Sequence, residues 1–213
     1  MRPSLRTALP LLALLCASPA LAQRSSRPDI DPDGTPRKMQ LKPREQRTVR
    51  EADAALQRAA KVPPVAPETL ALAIPERLGG FARKKVDPQV ERVGPAMYSR
   101  VVVDLEGAEG RQAKLLIVDT AGLPPETFER RLEPLPRGKR VAAGGLSREG
   151  REVSGFPAVS EEEGPKGPSR LQLAVAARLL VAVEGARLSA DELAAIAQAV
   201  DYGRLVRALP KTN

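Results

Sequence analysis

Two neighbouring stretches of the chain carry the clearest alternation of apolar and polar residues. From Met97 to Leu105, apolar side chains alternate with Tyr98, Arg100, Val102 and Asp104, which is the period of a half-buried strand. From Ala113 to Asp119 the apolar residues are consecutive, which indicates a strand buried on both faces. The glycine-containing segment Glu106 to Arg111 lies between them and predicts a hairpin.

The pattern after residue 120 is weaker. It predicts a short helix at Pro124 to Leu132, a Gly-rich loop from Arg137 to Arg151 and a strand near Glu152 to Val159. Two further strands are expected at Leu171 to Ala176 and Leu179 to Val183, with a tight turn at Ala177-Arg178.

A helix near the carboxyl end has a well-marked start. Ser189 and Glu192 have the spacing of a capping box, with Asp191 in the first turn. The buried face of this helix is expected to be formed by Leu193, Ile196 and Val200. Gly203 is expected to end the helix, and a last turn after it is expected to pack through Leu205, Val206 and Leu209. These elements predict an α+β domain, in which an antiparallel sheet of about five strands carries one or two helices on one face.

The amino-terminal residues 1–22 have the three parts of a secretory signal peptide. Arg2 and Arg6 precede an apolar run from Leu9 to Leu15, and Ala20-Leu21-Ala22 is a small-x-small cleavage site before Gln23. A retained anchor and a lipoprotein modified at Cys16 are the alternatives. Prolines interrupt the apolar run, and Leu14-Leu15 precede Cys16, whereas a lipid-modified cysteine normally follows a small residue. We expect a periplasmic or secreted protein without a transmembrane segment in its mature chain.

Residues 23–67 have the composition of a basic, Pro-rich linker. They contain ten lysines and arginines against six aspartates and glutamates, and no aromatic residue, so they bury too little apolar area to fold alone. A marginal helix is expected at 43–61. The Asp29 to Gly34 segment resembles the start of a calcium loop, but Gln40 stands where the last carboxylate belongs. The globular domain is placed at 68–213.

Catalytic and cofactor chemistry has few candidates in this composition. The chain has no histidine and its one cysteine is Cys16, which excludes Ser-His-Asp and Cys-His sites from the mature chain and leaves no cofactor expected. Asp104 and Asp119 are the most tempting carboxylate pair. The hairpin register places Asp119 opposite Tyr98, too far from Asp104 for glycosidase chemistry, so both are interpreted as solvated strand-end residues.

A cluster of basic residues in the Gly-rich loop is the one candidate binding site. Arg137, Lys139, Arg140, Arg148 and Arg151 could contact an anionic surface or ligand. Nucleic acid is not expected, because no aromatic residue is interleaved for base stacking. The competing hypothesis is an ordinary solvated loop, neutralised by Glu161 to Glu163.

The order of elements resembles small exported bacterial α+β domains and, more distantly, the PsbP-type sandwich. The resemblance covers about residues 68–209 and rests on Leu78-Gly79-Gly80-Phe81, on Val181 to Gly185 and on the capped helix. It brings no functional residue with it. The preferred hypothesis is therefore an exported, non-catalytic binding or interaction domain that contacts an envelope protein or an anionic surface. An accessory subunit of a periplasmic or outer-membrane assembly and a carboxylate-based hydrolase are the alternatives, and the oligomeric state stays open.

Overall fold

The computed structural model describes residues 43–123, 135–164 and 167–210. The described helices are α1 (Pro43–Ala59), α2 (Pro67–Ala71), α3 (Ala190–Gln198) and α4 (Tyr202–Ala208), with a 3-10 turn at Ala108–Gly110. The strands are β1 (Arg77–Leu78), β2 (Phe81–Val93), β3 (Ala96–Glu106), β4 (Gln112–Asp119), β5 (Arg140–Ala143), β6 (Leu146–Val153), β7 (Phe156–Glu163), β8 (Pro168–Val175) and β9 (Leu179–Ala186). The leader, the Asp29 to Gly34 segment and the helix expected at Pro124 to Leu132 lie outside the described residues.

The described strands form one antiparallel sheet of nine, in the order β1-β2-β3-β4-β9-β8-β7-β6-β5. The chain builds β1 to β4 as one meander, crosses to the far edge at β5 and returns strand by strand until β9 pairs with β4. The predicted α+β domain, with a sheet of about five strands, is therefore wrong: the described residues are mostly β, with one nine-stranded sheet and four helices.

The sequence pattern did not predict the additional strands because polar residues and glycines interrupt their apolar alternation. The supposed Gly-rich loop at 137–151 contains β5 and most of β6, joined at Gly144-Gly145, where both φ values are positive, 59° and 83°. Two such residues make the tight turn of a hairpin. The strand expected at 152–159 is also wrong, because Ser154 and Gly155 turn the chain from β6 into β7. The strands expected around 97–105, 113–119, 171–176 and 179–183 are confirmed.

One face of the sheet packs against α2, α3 and α4 and holds the main core. Val101, Ile117 and Val181 lie side by side on β3, β4 and β9, and they share this cluster with Ile196 of α3. The expected helix start is confirmed, since the Ser189 and Glu192 capping box is present. Gly203 does not end that helix; it lies inside the separate helix α4.

Other details of the carboxyl end also differ from expectation. Leu205 is buried, as expected, whereas Val206 is exposed. Asp201 caps α4 by accepting from the backbone N–H of Arg204 at 2.8 Å. The Tyr202 hydroxyl donates to the Ala197 carbonyl oxygen at 2.8 Å, and burial raises the pKa of Tyr202 above its ordinary value.

The opposite face of the sheet, called here the outer face, carries a smaller cluster beneath the end of α1. Leu56 and Ala59 of α1 join Tyr98, Val118 and Leu123 there. The helix expected at 43–61 is thus confirmed as α1. The expectation that helices occupy one face is wrong, because α1 contacts the outer face while α3 contacts the other.

A row of charges of alternating sign crosses seven adjacent strands on the outer face. Each member is the register partner of the next, and the row runs Lys85, Asp104, Lys114, Glu184, Arg170, Glu161, Arg148. Ion pairs join Lys114 to Asp104 at 3.4 Å, Arg170 to Glu184 at 2.5 Å and Arg148 to Glu161 at 2.9 Å. Opposite charges on adjacent strands stabilise a sheet in one register.

No helix among the described residues is both long and apolar enough to cross a bilayer.

Candidate functional site

A cavity of about 420 Å³ lies where α3 passes over β6. Its lining combines α3 with β6 and the turn that precedes β5, through Arg137, Gly138, Glu149, Gly150, Arg151, Glu152, Val153, Asp191, Ala194, Ala195 and Gln198. Two of the five predicted anion-contact residues, Arg137 and Arg151, therefore share one cavity.

Arg151 connects the two walls of this cavity. It is the register partner of Ala158, which belongs to the main core, so its side chain leaves β6 on the α3 side. Its guanidinium donates to Asp191 of α3 at 2.6 Å, and its Nη2 lies 3.5 Å from Glu149. Its Nε is buried and has no acceptor among the described residues.

The charge state of Arg151 follows from these neighbours. Burial by itself lowers the pKa of Arg151, but the hydrogen bond to Asp191 and the nearby Glu149 carboxylate outweigh it, so the pKa is raised. Arg151 therefore stays cationic at every physiological pH. The cavity wall carries a permanent positive charge, and three carboxylates, those of Glu149, Glu152 and Asp191, line the same cavity.

The turn before β5 places Arg137 at the cavity. The Lys139 N–H donates to the Pro136 carbonyl oxygen at 2.9 Å, and Gly138 has a positive φ of 76°. Gly138 and Lys139 then exchange backbone hydrogen bonds with Gly150 of β6, at 2.8 and 2.9 Å. A Cβ on Gly150 would lie 2.2 Å from the Pro136 oxygen, so only glycine lets the turn lie this close to β6.

The remaining three predicted contact residues lie elsewhere. Lys139 and Arg140 are exposed on the turn and on β5. Arg148 extends from the outer face, where it pairs with Glu161 at 2.9 Å; this pairing is the local neutralisation that the solvated-loop hypothesis expected. The cluster that looks continuous in the sequence is divided between the two faces of the sheet because side chains alternate along β6.

The environment of Asp119 differs most from the one that its sequence position predicts. It is opposite Ser99, not Tyr98, and it is fully buried rather than solvated. Since Asp104 lies five residues from Ser99 on β3, the two carboxylates extend from opposite faces of the sheet. The pair proposed for a carboxylate hydrolase is therefore not assembled.

Asp119 instead attaches the segment before α2 to the sheet. Its carboxylate accepts from the backbone N–H groups of Val65 at 2.7 Å and Ala121 at 3.0 Å, and from two nitrogens of Arg178 at 2.6 and 2.8 Å. Arg178 also donates to the Pro63 carbonyl oxygen, and the Ser99 hydroxyl donates to that of Val65. We call this group, Pro63, Val65, Ser99, Asp119 and Arg178, the strap anchor. No local sequence signal predicts it, because its members are far apart in the chain.

Within the residues that the structure describes, no three His, Cys, Asp or Glu side chains are grouped as metal ligands would be. Comparison of the chain with protein-family models, with curated proteins and with solved structures finds no match. The resemblance to the PsbP-type sandwich accordingly stays a prediction.

Proposed function

We propose that this chain is an exported, non-catalytic binding domain, and that the cavity between α3 and β6 binds a small molecule bearing a carboxylate. The observation that carries the proposal is the convergence of Arg137 and Arg151, from two separate elements, on one cavity. A guanidinium presents paired N–H donors whose geometry matches a carboxylate.

The ion pair between Arg151 and Asp191 supports the proposal that a ligand carboxylate can replace Asp191 on the Arg151 guanidinium. Its partner Asp191 has a side chain that is 88% exposed, and such exposed ion pairs contribute little free energy. A ligand carboxylate can therefore displace Asp191 from Arg151 at small cost. Asp191 keeps a favourable position after displacement, since it lies in the first turn of α3, where the helix dipole favours negative charge.

The other walls suit a compact ligand with an apolar part. Ala194 and Ala195 present methyl groups, Val153 adds an apolar side chain, and Gln198 supplies an amide. The rest of the lining is polar or charged, with the carboxylates of Glu149, Glu152 and Asp191 beside the two arginines, so the apolar part of the ligand is expected to be small. Export is supported separately, by the three-part leader in residues 1–22.

Titration with succinate, followed by NMR of the arginine Nε–H signals, tests the proposed site. Succinate is expected to shift the Arg151 signal saturably, while 1,4-butanediol, which has no carboxylate, leaves it unchanged. Arg151→Gln is expected to abolish binding, and Arg92→Gln, at an exposed position of β2, is the matched control. Asp191→Asn should tighten binding by a few-fold, about the worth of an exposed ion pair. No saturable shift with succinate, glutamate or citrate would refute the proposal.

A further inference from the structure

The sheet has one open edge at β5. No described strand pairs with its outer side, and all four of its residues are exposed, with Val141 at 42%. An edge strand offers a row of backbone donors and acceptors to any extended chain that approaches it.

The phase of the hairpin shows which backbone groups point outward. In a two-residue hairpin the residues flanking the turn form the hydrogen-bonded pair, here Ala143 with Leu146, followed by Val141 with Arg148. The N–H and C=O groups of Arg140 and Ala142 consequently point away from β6. The small side chains of Ala142 and Ala143 leave room for a second backbone beside them.

The other edge of the sheet has the protections that β5 lacks. There, β1 covers the start of β2, a register irregularity falls between Arg83 and Lys85, and Pro88 has no N–H group to donate. Bulges, lysines and prolines are the usual means of blocking edge pairing. In β5 there is no bulge and no proline, and Arg140 is the one charged residue.

The charge around β5 specifies the kind of chain that would pair with it. From Arg137 to Arg148 the sequence has four basic residues and no acidic one, and the first acidic residue, Glu149, lies opposite Arg140 on β6. Lys139 and Arg140 are exposed at the start of the strand, while Arg148 is already paired with Glu161. A second copy of β5 would bring like charges together, whereas an acidic segment would be attracted.

We infer that β5 binds an extended acidic segment of a partner protein, which adds to the sheet as a tenth strand. The backbone groups of Arg140 and Ala142 supply the pairing, and the cations at 139 and 140 select glutamate or aspartate side chains. Lys139, Arg140 and Ala142 do not line the cavity between α3 and β6, so Arg151→Gln is expected to leave peptide binding at β5 unaffected.

The test is fluorescence anisotropy of the purified full chain with a short labelled peptide of alternating glutamate and valine. Ala142→Pro removes one outward N–H group and is expected to weaken binding by about tenfold, since an unpaired acceptor is left on the peptide. Arg140→Glu should weaken it similarly, and Arg77→Glu, at an exposed position on the opposite edge, should not. The peptide N-methylated along its pairing side should not bind.

Each other outcome counts against the inference. If folded Ala142→Pro binds as tightly as the natural chain, or the N-methylated peptide binds as well as the unmodified one, the contact is electrostatic and adds no strand. If the natural chain dimerises and Ala142→Pro dissociates the dimer, a second copy occupies the edge instead. Should Ala142→Pro fail to fold, Arg140→Glu and the N-methylated peptide decide.

Discussion

Asp119 is a fully buried carboxylate with four hydrogen bonds to it, two from backbone N–H groups and two from Arg178. A buried charge is tolerated only when it is paired and its hydrogen bonds are made. Removal of the carboxylate leaves Arg178 as a cation without its partner and two N–H groups without acceptors. The contribution of the strap anchor to the free energy of unfolding is therefore expected to depend mainly on the Asp119 carboxylate.

Asp119→Ala is expected to lower the free energy of unfolding by about 3 kcal/mol or more, the usual cost of breaking a buried pair. Asp104→Ala, the matched control, removes a partly exposed carboxylate whose partner is Lys114 and should cost at most about 1 kcal/mol. Denaturant unfolding of the two variants measures both. Equal effects would mean that the strap anchor contributes nothing to stability.

Gly79 and Gly80 are adjacent glycines in the turn between β1 and β2, and they differ in how much space surrounds them. Both have positive φ, 54° and 88°. A Cβ on Gly79 would lie 2.6 Å from the backbone nitrogen of Ile196 in α3, whereas a Cβ on Gly80 meets nothing within 4 Å. Gly79 therefore permits the turn between β1 and β2 to contact the α3 backbone.

Gly79→Ala should consequently destabilise the fold more than Gly80→Ala. The positive φ costs an alanine about 1 kcal/mol at either position, and the clash with α3 adds about 1–3 kcal/mol at position 79. Thermal unfolding of both variants at one pH gives the comparison. A Gly80→Ala variant as unstable as Gly79→Ala would show that φ, and not the approach of α3, explains these glycines.

At the scale of elements, α3 is fixed at its start by the Ser189 and Glu192 capping box and by an ion pair between Glu192 and Arg111. The pKa of Glu192 is lowered, first by its hydrogen bond with the Ser189 backbone N–H, then by those with Arg111 and the Ser189 hydroxyl. The carboxylate has a lower pKa in the folded state than in the unfolded state, so its ionised form stabilises the fold. This contribution to the free energy of unfolding is present above pH 4.5, the ordinary glutamate pKa, and is lost as the pH falls through the folded-state pKa.

Glu192→Gln is thus expected to destabilise the chain at pH 7 and to make progressively less difference below pH 4.5. Glutamine keeps an acceptor for the Ser189 N–H but loses the charge that attracts Arg111. Denaturant unfolding of both proteins across this pH range gives the difference. A difference that is constant from neutral to acid pH would show that the carboxylate charge is irrelevant.

For the whole molecule, the segment before α2 belongs physically to the folded body. Val65 is buried in the main core and makes two hydrogen bonds in the strap anchor. The boundary predicted at residue 68 lies three residues beyond it. Part of the predicted linker 23–67 therefore packs in the folded body, and Val65 is expected to contribute to its stability.

A chain that begins at residue 68 should still unfold cooperatively, but with a free energy of unfolding lower by about 2 kcal/mol than a chain that begins at residue 43. The reason is that Asp119 and Ser99 each lose a buried hydrogen-bond partner. A chain that begins at residue 60 keeps the strap anchor and should recover most of this difference. A chain that begins at residue 68 and is as stable as the chain that begins at residue 43 would contradict the expected role of Val65.

Much of the meander around β3 and β4 could be predicted because its apolar residues are dense enough to reveal the strand period. The start of α3 could be predicted because a capping box is a local contact between residues three apart. β2 and β6 could not, since charged residues occupy many of their positions, and β5 could not, because it has only four residues and ends just before Gly144-Gly145. On the outer face those charges are satisfied by register partners from distant segments, as Glu184 satisfies Arg170.

The sequence by itself determined the strands β3 and β4, the capped start of α3 and a composition with no histidine and Cys16 as its single cysteine, while the signal peptide stays a prediction. The tertiary structure decided the number of strands, the burial of Asp119 and the convergence of Arg137 with Arg151. The physical reason is the sequence separation between the residues that interact. Periodicity and capping depend on residues within a few positions, whereas Asp119 and Arg178 are 59 residues apart and meet only after β4 and β9 have paired.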